Sequence, residues 1–90
     1  MYLVRKNIIN DSVDGYFVDE KIHGKLITSH YITLHPDTCS CEFFAKSKNP
    51  HTHFHINLVR FWIKQGCPIS SMYDKSKDGK IVVLCPGFKS

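Results

Sequence analysis

Two cysteines one residue apart, Cys39 and Cys41, are followed by histidines at three alternate positions, His51, His53 and His55. All five side chains fall within residues 39–55. Two thiolates and two imidazoles form the donor set of a closed tetrahedral zinc site. No other feature limits the fold as strongly, because an ion held there ties the end of one element to the start of the next. Size gives that tie its weight. A chain of 90 residues buries only roughly two-thirds of its unfolded surface. Structural zinc contributes about 10–16 kcal/mol in small finger peptides at neutral pH, comparable to a whole domain's net stability.

Ninety residues allow one domain and one core, so the chain reads as a single domain over 1–90. Hydrophobic residues at 42% and charged residues at 22% exclude a disordered tail. The formal net charge of +4 permits contact with nucleic acid or with an acidic partner and selects neither. No apolar run reaches the roughly 18 residues of a membrane span. At the start, Arg5 and Lys6 come after the apolar residues rather than before them, the reverse of a secretory signal, which predicts an intracellular protein. A disulfide between Cys39 and Cys41 would be strained across so short a gap, so shared metal is the better reading of that pair. Cys67 and Cys85 read as buried thiols acting as small hydrophobes, with a bridge between them as the alternative.

Hydrophobic patterning predicts an α+β domain: an antiparallel hairpin or meander, one main helix and a C-terminal hairpin. Tyr2, Leu3 and Val4 with Ile8 and Ile9 read as a first strand, ended by Asn10 and Asp11. A second strand is expected at 16–18 and a third, rich in β-branched residues, at 26–34, with a turn at 23–25 between them. His35, Pro36 and Asp37 make a turn. Residues 38–44 read as a short returning strand or knuckle, and 46–50 as a polar loop. The helix is expected over 53–65, with Thr52 as N-cap and Gly66 and Pro68 as its stop. Its apolar arc holds Phe54, Ile56, Leu58, Val59, Phe61, Trp62 and Ile63, and its polar edge His53, Asn57, Arg60 and Lys64. Phe61 and Trp62 read as core rather than as a base-stacking platform. Strands at 72–73 and 81–84 flank a turn carrying Asp78 and Gly79. Residues 86–90 read as a loose end.

Cys39-Ser40-Cys41, a loop, then a histidine at the start of an apolar helix resembles the SWIM zinc finger. That family's pattern is Cys-x-Cys, a variable gap, then Cys-x-His, with the first pair ending a β-hairpin and the second opening a helix. The similarity covers about residues 16–66. One position departs from it: histidine stands where the third ligand is usually cysteine. Imidazole suits tetrahedral zinc as well as thiolate does. The resemblance implies a structural Zn2+ held by Cys39, Cys41, His53 and His55. Two other pairings stay open. His51 with His53 keeps a proline, Pro50, directly before the third ligand. His51 with His55 would share one side of a helix begun at Pro50. His53, if helical, projects away from the apolar arc, and it turns inward only at a frayed first turn. His23, His30 and His35 have no motif around them and read as surface residues.

The resemblance further implies a nucleic-acid-binding module, with DNA as the target. Lys46, Lys48, Arg60 and Lys64 are the candidate phosphate contacts. The same family also serves in protein complexes, so a protein-interaction module is the alternative. Edge pairing of two copies through Ile81, Val82, Val83 and Leu84 would make a homodimer. An enzyme is not expected. Glu42 beside Cys41 is the only imaginable general base, and no deaminase signature, nucleophile elbow or phosphate-binding glycine loop occurs.

Overall fold

Asn10 and Asp11 both adopt positive φ, 51° and 62°. That is the demand of a two-residue type I′ turn, and it joins β1 (Tyr2–Ile9) to β2 (Ser12–Ile22) with Ile9 opposite Ser12. His23 and Gly24, at 53° and 79°, repeat the device between β2 and β3 (Lys25–Thr33), with Ile22 opposite Lys25. The computed structural model describes residues 1–47, 53–69, 71–85 and 88–89 of the chain. A tight turn at 34–37 returns the chain to β4 (Thr38–Cys39), where Cys39 pairs with Ile32 and Thr38 with Thr33. Then follow α1 (Glu42–Ser47), α2 (Phe54–Lys64), β5 (Pro68–Ile69), β6 (Met72–Lys75), β7 (Ile81–Cys85) and β8 (Phe88–Lys89).

The result is a mixed, mostly β fold. Six strands form a curled antiparallel sheet in the order β4-β3-β2-β1-β6-β7, and β5 pairs with β8. The β1–β6 junction rests on one pair, Tyr2 opposite Tyr73. Cross-strand pairing puts Tyr2, Val4, Tyr16, Val18, His30, Ile32 and Cys39 on one face. The long helix α2 lies against that face and buries Ile56, Leu58, Val59 and Trp62 on Val18, Ile32 and Tyr73. Trp62 meets Tyr16 edge-on, 6.2 Å between centroids, and its indole N–H donates to the Pro68 carbonyl at 2.9 Å. It is therefore a core residue with its polar atom satisfied. The helix ends as Gly66 and Pro68 predict. Gly66 takes φ 88°, its N–H donates to Ile63, and the Cys67 N–H reaches back to Trp62, which is a Schellman cap.

Four expectations need correction. The strand expected at 16–18 runs from Ser12 to Ile22, because only its inner face is buried and Asp14, Asp19, Glu20 and Lys21 interrupt the apolar pattern, the outer face lying open to solvent. On that outer face Arg5 pairs with Asp19 at 2.9 Å and stacks over the Phe17 ring at 4.2 Å. The expected strand at 38–44 stops at Cys39, and a six-residue helix begins at Glu42. Glu42 in its first turn and Lys46 in its last complement the helix dipole. The tail expected to be loose is in part β8, paired with β5. The Asp78-Gly79 turn is also one residue longer than a two-residue hairpin. Gly79 donates to Ser76 and takes φ 81°, giving a type I turn closed by a left-handed glycine.

Gly15 has the tightest steric demand. A Cβ there would lie 2.4 Å from the Tyr31 hydroxyl and 2.9 Å from the Ile32 carbonyl oxygen. Tyr31 could swing aside, but the backbone oxygen could not. Gly15→Ala is expected to cost about 1–3 kcal/mol by overpacking, read as a lower midpoint in urea. An unchanged midpoint would show that β3 yields there without cost.

Candidate metal centre

Cys39 closes β4 opposite Ile32, and this pairing turns its side chain toward α2. Ser40 is clamped to β3 on both sides, since its N–H donates to the Tyr31 carbonyl and its Oγ accepts the Tyr31 N–H at 2.9 Å. Cys41 then returns to the inner side just ahead of α1, and its carbonyl accepts the Ala45 N–H. Both cysteines are buried within the main core.

His53 is the N-cap of α2, with extended φ and ψ of −82° and 119°. It makes no side-chain cap hydrogen bond. It is therefore not part of the helix's polar edge. The extended N-cap is the geometry that lets it point inward, and it is buried. His55 follows in the first turn of α2, half-buried. The ligating atoms of Cys39, Cys41, His53 and His55 all lie within 4.8 Å of one another. Cys41 Sγ is 3.0 Å from His53 Nε2, and Cys39 Sγ is 3.6 Å from His55 Nδ1. Ideal tetrahedral bonds to zinc would put neighbouring donors about 3.3–3.8 Å apart. The group fits a metal ion in both spacing and donor type, with two sulfurs, two imidazole nitrogens and no carboxylate.

Burial disfavours charge on Cys39, His53 and His55. Burial, followed by the neighbouring Cys41 thiol, pushes the Cys39 thiol up to about 12. Burial, then His30, His53 and Lys75, pushes His55 down to about 3. His53 is lowered by burial first, then by His30 and Lys75. Both imidazoles therefore stand ready as neutral ligands, while the Cys39 thiol needs a cation to give up its proton.

The other sequence candidates scatter. Lys46 and Lys64 are exposed in the last turns of α1 and α2. Arg60 is exposed but its guanidinium pairs with the Asp37 carboxylate in the turn before β4. Lys48, His51 and Thr52 lie outside the described residues. Cys67 and Cys85 are half-buried rather than buried, and no disulfide forms among the described residues, which include all four cysteines. His30, read from sequence as a surface residue, lies opposite Val18 on the inner face, its ring stacked on His55 with centroids 4.2 Å apart. The signal for it was the two-residue period: His30 must share a face with Ile32 once Ile32 is taken as core. The apolar Tyr31 between them hid that alternation. Among the described residues, no helix is long and apolar enough to cross a membrane.

No known protein family, curated protein or solved structure matches this chain.

Metal uptake by two protonated thiols and two neutral imidazoles releases two protons. Apparent affinity should then rise about 100-fold per pH unit below the thiol range and weaken on acidification. Competition with a chelator across about pH 6 to 7.5 measures the slope. A tenfold rise per unit would mean that a single thiolate ligates.

Proposed function

We propose that this chain is a small zinc module of the SWIM type, in which the ion is structural and the module binds DNA. The observation that carries the reading is the meeting of Cys39, Cys41, His53 and His55 from β4, the start of α1 and the start of α2. Sulfur with imidazole favours zinc over hard cations such as magnesium or calcium. Four protein donors fill the tetrahedron and leave no open position, which supports a structural role over a catalytic one. The SWIM type rests on the Cys-x-Cys before a histidine-led helix, and DNA rests on that resemblance together with the +4 charge. Lys46 and Lys64 remain exposed for phosphates, whereas Arg60 is engaged by Asp37.

A second reading, a protein-interaction module with the same ion, is favoured by one observation. The edge strand β7 leaves Val82, Val83 and Leu84 exposed, at 39%, 38% and 48%. An edge of this kind invites strand pairing with another protein or with a second copy as a homodimer.

Elemental analysis of the purified protein is expected to give one zinc per chain. A Cys39→Ser/Cys41→Ser variant should lose it and unfold at lower denaturant. Full retention of zinc in that variant would overturn the metal reading. DNA affinity is expected to fall steeply with salt, and reversing charge at Lys46 and Lys64 should lower the slope by about 2. A flat or absent DNA signal would leave the protein-partner reading standing.

A further inference from the structure

His55 is the least buried of the four candidate donors, and it is also the one most enclosed by rings. His30 of β3 stacks on it, 4.2 Å between centroids and 26° from parallel. Tyr2 of β1 meets it edge-on at 6.0 Å. His53 meets it edge-on at 5.1 Å. His30 is not itself one of the four clustered donors. Its backbone is fixed by the β2–β3 ladder opposite Val18, which is fully buried. The ring is thus presented from a rigid strand to a residue in a helix's first turn, where helices fray most readily.

Ligating histidines usually have their ring orientation set by an outer partner, and losing that partner typically costs 10–100-fold in metal affinity. A hydrogen bond to carboxylate or carbonyl is the common means. Among the described residues, no hydrogen bond from His55 to a carboxylate or carbonyl is seen, and the flat contact comes from a second imidazole. Stacking restricts rotation about the ring's own torsion, which is otherwise broad for an sp³–sp² bond. We propose that His30 is a positioning residue for the metal centre: its ring holds the His55 imidazole in the plane that aims Nδ1 at the ion shared with Cys39. The role rests on the metal reading above and requires shape rather than a nitrogen lone pair.

Cobalt(II) in place of zinc tests it, since the ligand-field bands report coordination number and geometry. Wild type, His30→Ala and His30→Phe are compared for cobalt spectrum and for zinc affinity by chelator competition. His30→Ala is expected to bind 10–100-fold more weakly, with bands weakened as His55 exchanges with water. His30→Phe keeps a flat ring and should come within about threefold of wild type, with wild-type bands. Far-ultraviolet circular dichroism of each metal-free chain shows whether the sheet has formed. Wild-type affinity in His30→Ala would overturn the positioning role. A His30→Phe variant as weak as His30→Ala would also overturn it, because a donor nitrogen would then be what matters. A wild-type chain that takes up no cobalt would sink the metal reading itself, and the role of His30 with it.

Discussion

The side chain of His53 cannot both cap α2 and reach the cysteines, and it reaches the cysteines. A helix that starts on a buried residue without a side-chain cap leaves its first N–H groups to other partners. In this fold the start of α2 is held instead by where His53 and His55 point. Their nitrogens converge on Cys39 and Cys41 at the end of β4 and the turn beyond it. The placement of α2 on the sheet depends on that convergence at one end. At the other end it depends on the Schellman cap at Gly66 and on the Trp62 bond to Pro68. The Arg60–Asp37 ion pair adds a third attachment, between the middle of α2 and the turn that leads into β4. Being exposed on the arginine side, it contributes little by itself.

The sheet explains why the donors meet. A type I′ turn fixes register, and register fixes which side chains face the helix. Two such turns, each with a register shift at a bulge beside it (between Asn7 and Ile8 in β1, and between Glu20 and Lys21 in β2), set β1, β2 and β3 so that Tyr2, Val18, His30 and Ile32 share the inner face. Cys39 joins that face by pairing with Ile32. A slip of one residue in β3 would send His30 and Ile32 to solvent and bring Tyr31 and Ser29 inward. The outer face resists such a slip with its own contacts. Tyr31 covers Gly15 and packs on Phe17, and Asp19 holds both Arg5 and Ser29.

What could be read from the residues follows from how local each signal is. The α2 stop was legible because Gly66 and Pro68 act on their own backbone. The turns at Asn10-Asp11 and His23-Gly24 were legible for the same reason. Cys39, Cys41 and the histidines of 51–55 stood out as donors by residue type and close spacing, whereas the choice of His53 with His55 rested on the resemblance and left His51 open. His30 was not, because its neighbour His55 is distant in sequence and only strand register brings them together. Arg60 read as a free cation because nothing near it in the helix pairs with it, and its partner Asp37 lies in a turn two elements earlier. The short helix at Glu42–Ser47 was missed because the apolar pair Phe43-Phe44 suits a strand as well as a helix. The β5–β8 pairing joins two-residue strands, too short to leave any period.

The candidate metal site is also not an appendage to the core. Cys39 and Cys41 belong to the same packed cluster as Ile32, Ile56, Val59 and Trp62. Here the donors line the seam between α2 and the β3–β4 edge. Bare thiols and neutral imidazoles can remain in that seam, because burial holds the Cys39 thiol protonated and the His55 imidazole neutral. They remain there with only weak sulfur–nitrogen contacts in place of four ligand bonds. An ion at this position would therefore act on the packing of the helix as a whole, and its loss would be felt along α2 as far as Trp62.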